Sequence, residues 1–232
     1  MRIRAIAAMG LAAAALLTVS ACRVEQGAAL FVGDERISEK RVDEVVDSIS
    51  ASDRAKLADL NQLTGGQLPD ISTGNLRGYV VDALVVTELG QRVAADTGVK
   101  PDRESSSVIK KNWELLELDS DSEFVQLTAE AEAYRTVLVD GSKPHRPSDK
   151  EVDALTAQLE HTFGQELDEQ QKAGFAQFLT SEDGQVVVGQ QRQVSDYIAE
   201  YDVTANPRYG QSFIVIARNA GPQPLITSDI PS

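Results

Sequence analysis

Ala28-Ala29-Leu30-Phe31-Val32-Gly33-Asp34-Glu35-Arg36-Ile37-Ser38 is the stretch around which the rest of the chain orders itself. Five apolar residues in succession predict a short strand, and Gly33-Asp34 has the chemistry of a two-residue turn. Arg36-Ile37 then reads as a brief return. Ser38 stands where a hydroxyl caps a helix, and Val42, Val45, Val46 and Ile49 follow at helical spacing. Near the other end, Tyr201-Asp202-Val203-Thr204 is strand-like, Asn206-Pro207 marks a turn, and Phe213-Ile214-Val215-Ile216 reads as a buried strand. Strands this short need partners, and the economical partners are each other. The two ends are therefore expected to meet in one small sheet, with helices between them.

The middle of the chain supplies those helices. Ser52-Asp53 opens a short one carrying Leu57, Leu60 and Leu63, which stops at Gly65-Gly66. The longest periodic stretch, 72–97, places Leu76, Tyr79, Val80, Ala83, Leu84, Val86 and Leu89 on its apolar positions, with Gly98 and Pro101 as stop signals. A more polar helix near 106–118 holds the only tryptophan, Trp113, and 122–139 follows with Phe124, Leu127, Ala131, Tyr134 and Leu138. Residues 141–147 form a proline-containing loop. Ser148 and Glu151 have capping-box spacing and open a helix with Val152, Leu155, Leu159 and Phe163; two glutamine-rich helices come next, near 168–179 and 182–199. The end, with Gly221, Pro222, Pro224 and Pro231, reads as a flexible tail over 217–232. The expected fold is mainly α with a small β element, a helical domain over 28–216 closed by strands from both ends.

The first residues carry a different message. Arg2 and Arg4 precede an apolar run from Ala5 to Val19 that is short and alanine-rich for a membrane span. Val19-Ser20-Ala21-Cys22 follows, and Cys22 is the only cysteine. This arrangement resembles the lipobox of a bacterial lipoprotein signal. It implies a signal peptide over 1–21 cut between Ala21 and Cys22, a covalent lipid (diacylglyceryl, with palmitate-type chains) on the Cys22 thiol, and a tether over 22–27. The competing reading is an ordinary secretory signal with an incidental cysteine. Cleavage would remove Arg2 and Arg4 and no acidic residue, taking the formal charge from −14 to −16. So acidic a body is a poor partner for nucleic acid, which needs clustered Lys and Arg, and is repelled by anionic lipid. The lipid is thus expected to hold it at the extracytoplasmic face of the cell membrane. Both methionines lie in the signal, so a pliable Met-lined binding groove is not expected.

The opening segment, with Val32, Gly33, Ile37 and Ser38, resembles the start of the SurA-type chaperone domain: strand, tight turn, short return ending in Ile-Ser, then a helix. Asp202-Val203-Thr204-Ala205-Asn206-Pro207-Arg208-Tyr209-Gly210 is similar to the ending of SurA-domain lipoproteins of high-GC Gram-positive bacteria. The resemblance covers the two ends in quotable residues and the middle only in helical character. It implies a membrane-anchored protein that binds unfolded or newly secreted polypeptide along an apolar cleft, with basic clients favoured by the negative charge. Better-studied members insert a parvulin-type prolyl isomerase domain. Here the only histidines are His145 and His161, one in a loop and one in a helix, so catalysis is not carried over and the protein is read as no enzyme. The alternatives are an envelope scaffold with one dedicated partner and, behind it, a residual isomerase.

Other chemistry is weaker. Asp119-Ser120-Asp121-Ser122-Glu123 follows part of a calcium-loop spacing, but Phe124 stands where the sharp turn needs glycine; an acidic helix start, favoured by the helix dipole, is the plainer reading. No His-Glu-x-x-His, Gly-x-Ser-x-Gly or phosphate-loop pattern occurs. No cofactor or metal is expected beyond the lipid. Within Asn206-Pro207-Arg208-Tyr209-Gly210, Asn206 is expected to be extended before proline and Gly210 to take a conformation other residues avoid, with Arg208 and Tyr209 left open as ligand contacts.

Overall fold

In the computed structural model the described residues are 27–56, 73–163, 166–206, 212–218 and 224–231. Strand β1 (Ala28–Val32) lies at the centre of a three-stranded antiparallel sheet, between β2 (Glu35–Ser38) and β3 (Val203–Ala205). Val32 is paired with both Glu35 and Val203, and Leu30 with both Ile37 and Ala205. The two ends of the folded body therefore share one strand, as the apolar run predicts. All five β1 residues are buried, which is why the segment is apolar without alternation. Gly33 takes a φ of +58° in the two-residue turn, a conformation that costs glycine little.

Asn206 completes the closure. Its backbone N–H donates to Ala29 O at 2.9 Å and its side-chain amide to Ala28 O at 2.7 Å, while Ala205 N–H reaches Pro231 O at 2.8 Å. Three chain segments are joined within two residues.

Helix α1 (Glu39–Asp47) is capped by Ser38, whose hydroxyl accepts from Arg41 N–H. Helix α2 is described over 51–56. Then come α3 (Thr73–Thr97), α4 (Arg103–Leu115) and α5 (Glu123–Val139). Gly98, with φ +78°, ends α3. Helix α4 starts before the expected position because Asp102, rather than a later serine, caps it, and it ends sooner, with Glu117 in the left-handed region just beyond. Ser122 caps α5, whose N-terminal Glu123 bonds Arg41. Helix α5 is buried on nearly every side, from Phe124 to Leu138, and so occupies the centre of the main core. It meets α3 where Gly90 faces Tyr134: a Cβ at Gly90 would stand 2.5 Å from Tyr134 Cβ. Arg135 of α5 bonds Asp82 of α3 at 3.1 Å across the same interface.

Helices α6 (Asp149–Phe163), α7 (Glu169–Thr180) and α8 (Glu182–Glu200) form a lobe with its own apolar cluster of Leu155, Leu159, Phe175, Leu179, Val188 and Ile226. Ser181 ends α7 and caps α8 at once. Helix α8 belongs to both clusters, giving Val188 to the lobe and Val194 and Ile198 to the main core.

Two expectations are corrected. Strand β4 (Ser212–Arg218) does not join the first sheet; it pairs antiparallel with β5 (Pro224–Ile230) in a separate two-stranded sheet. The segment 217–232, expected to be a flexible tail, contains that strand, so a domain boundary at 216 would cut through a hairpin. The prolines misled because Pro224 and Pro231 bracket the strand instead of interrupting it: Pro224 is its first residue, a position that proline tolerates. Ile226, Ser228 and Ile230 are buried.

Candidate functional site

A half-open concavity among the described residues lies where α6, α8 and β5 converge. It encloses about 380 Å³ and is lined by Glu151, Ala154, Leu155 and Gln158 from α6, Val188, Gln191 and Ser195 from α8, and Asp229 from β5. The α6 residues recur at helical spacing on one face, and so do those of α8. Ala154 is the exposed part of an apolar stripe whose Leu155 and Val188 are buried in the lobe cluster; amides, a hydroxyl and two carboxylates surround it.

Each wall is fixed by local chemistry. At the start of α6, Ser148 N–H and Oγ both donate to Glu151 Oε2, at 2.8 and 2.7 Å, and Glu151 N–H returns to Ser148 Oγ. This is the capping box that the sequence predicts. These two bonds from Ser148, with His145 alongside, hold the Glu151 carboxyl down at about 2. Arg192 of α8 reaches across to Glu151 Oε1 at 3.2 Å and to His145 Nε2 at 2.7 Å. The loop before α6 is pressed onto α8: His145 N–H donates to Gln185 O at 2.8 Å, and a Cβ at Gly189 would stand 2.0 Å from Lys143 O. Gln193 donates to Leu138 O and Asp140 O, closing the end of α5. Gln193, and Gln185 through Thr180 O, thus serve as backbone clamps.

The β5 wall is held by serines. Ser228, fully buried, donates to Gln191 O at 3.0 Å and meets Ser195 Oγ at 3.2 Å. At the far end, Gln158 Nε2 donates to Asp229 Oδ1 at 2.7 Å. Among the described residues no cation bonds Asp229, whose exposed carboxylate lines the cleft.

The residues singled out from sequence are placed elsewhere. Val32, Gly33, Ile37 and Ser38 lie in the β1–β2 hairpin and the α1 cap, and Asn206 beside β1, so the opening and closing segments are neighbours in space. None of them lines the cleft. Ala21, Cys22, Pro207, Arg208, Tyr209 and Gly210 lie outside the described residues, as do Leu57, Leu60 and Leu63. His145 lies in the loop before α6, bonded to Glu151 in its first turn, and His161 in its last turn, about 15 Å further along the axis at 1.5 Å per residue, so the two do not converge on one bound residue. Asp119 Oδ1 accepts from Asp121 N–H in the turn before α5, an acidic helix start. Among the described residues no group of three His, Cys, Asp or Glu side chains is arranged to hold a metal, and no described helix is long and apolar enough to cross a membrane.

Of the cleft residues, Glu151 and Leu155 carried a signal in the sequence. Asp229 carries none, because the prolines around its strand read equally as a tail. Gln158, Gln191 and Ser195 had only helical spacing, which does not tell a solvated face from a cleft. The chain matches no family model, no curated protein and no solved structure.

Proposed function

We propose that this chain is a lipid-anchored, extracytoplasmic, SurA-like protein that binds unfolded or newly secreted polypeptides without catalysing a reaction on them. The observation that carries the reading is the cleft lined by α6, α8 and β5. Its apolar stripe suits the side chains of a non-native segment. Its rim of two glutamine amides and the Ser195 hydroxyl suits the donors and acceptors of an extended backbone. The lipobox-like Val19-Ser20-Ala21-Cys22 supports the location, and the adjacency of the opening and closing segments supports the frame.

The test uses the full-length chain reconstituted into liposomes, with empty liposomes as control. Several unrelated proteins are refolded from denaturant in its presence, and light scattering is followed. Suppressed aggregation across most of them at near-stoichiometric ratio is the expected result. Unchanged scattering for every client would overturn the reading in favour of a dedicated envelope partner protein.

A further inference from the structure

Resting on that reading, we infer that the α6–α8–β5 cleft selects segments that pair an apolar residue with a lysine or arginine, the apolar side chain over Ala154, beside the covered Leu155, and the cation at Asp229. The argument is one of charge and placement. Among the described residues two carboxylates line the cavity and no cationic side chain does. They are not equivalent. Glu151 already meets Arg192, His145 and the Ser148 cap. Asp229 meets a neutral amide, that of Gln158, so its charge is available to a ligand. The residue is exposed while its strand neighbours Ser228 and Ile230 are buried, so the carboxylate stands at the mouth of an otherwise covered strand. A ligand cation there needs no other pair to be broken, because the Gln158 amide and an incoming ammonium or guanidinium can occupy different lone pairs of the carboxylate. Ala154 and Asp229 line the same cleft, so one segment engages both only if its apolar and basic residues are close in sequence. The formal charge of −14 over the whole chain repels acidic segments and speeds the arrival of basic ones.

Fluorescence anisotropy of labelled, extended peptides on the full-length chain in a non-ionic detergent tests this. Four peptides of one length are compared: leucine with lysine, leucine with glutamine, leucine with glutamate, and serine with lysine. The leucine–lysine peptide is expected to bind tightest and to weaken as salt rises. Asp229→Asn is expected to weaken that peptide about fivefold, the loss typical of a partly exposed charge pair, and to leave the leucine–glutamine peptide unchanged. Ala154 is an exposed lining residue, so Ala154→Trp fills the cleft without entering the core and is expected to abolish binding. Equal affinity for all leucine peptides, or binding untouched by Ala154→Trp, would overturn the selectivity while leaving polypeptide binding intact. No binding of any peptide, together with unchanged scattering in the liposome assay, would overturn both. Self-association removed by Ala154→Trp would place a second copy in the cleft and overturn the inference.

Discussion

Asn206 does at the residue scale what a long interface does elsewhere. Its amide supplies a donor to Ala28 O, a buried strand carbonyl that lies beyond the last β1–β3 pair. Asn206→Ala leaves that carbonyl buried without this donor, and the expected loss is about 1–3 kcal/mol, read from the urea midpoint by Trp113 fluorescence. Trp113 is a suitable reporter because it donates to Thr128 Oγ1 at 3.0 Å and packs edge-on against Phe124. Glu151 yields a prediction in pH. Its carboxyl is depressed from 4.5 to about 2 in the fold, so its contribution is fully present above pH 4.5 and disappears as the pH falls towards 2. Glu151→Gln is expected to flatten the stability profile in that window, checked by urea melts at stepped pH. The two residues differ in how far sequence revealed them. Glu151 was legible because a capping box is a local pattern. The role of Asn206 was not, since its partner lies 178 positions away.

Elements fit where side chains were left small. On α3, a Cβ at Gly78 meets nothing within 4 Å, whereas one at Gly90 collides with Tyr134. Gly78→Ala is therefore expected to stabilise by about 0.4–1 kcal/mol through the unfolded chain, and Gly90→Ala to destabilise by about 1–3 kcal/mol through overpacking against α5. Paired thermal melts check both, and the opposite signs within one helix exclude a general propensity effect. The ends of α3 and α8 are pinned by Tyr201 Oη donating to Asp96 Oδ2 at 2.6 Å, which pushes the phenol up to about 12. Its stabilisation is present below pH 10 and lost as the pH rises towards 12. Burial also raises the neighbouring Tyr197, so ultraviolet titration is expected to lose its latest tyrosine step, and only that one, in Tyr201→Phe. The helices themselves were legible because their caps and apolar spacing are local. Their pairing was not. Low alternation in α5, apolar all round, names a buried helix without naming its neighbours.

For the whole molecule, β5 is the segment that sequence reading valued least and the fold uses most. Ile226 belongs to the lobe cluster and Ile230 to the main core, while Ser228 ties the strand to α8 and Pro231 O receives Ala205. Deleting residues 219–232 is therefore expected to loosen both clusters together, with amide hydrogen exchange rising in α6–α8 and in β3. Exchange confined to β4 would show that the hairpin is an accessory. The misreading had a physical origin: proline brackets a strand and fills a tail with equal ease, and only the partner strand decides between them. The central position of β1 has a mechanical consequence. A pull entering the body at residue 27 is carried along a strand bonded on both sides, so the β2 and β3 ladders resist in shear and their hydrogen bonds share the load. An edge strand pulled outward would open one bond at a time. A body hung from this end keeps its shape under tension until the middle strand slides as a whole.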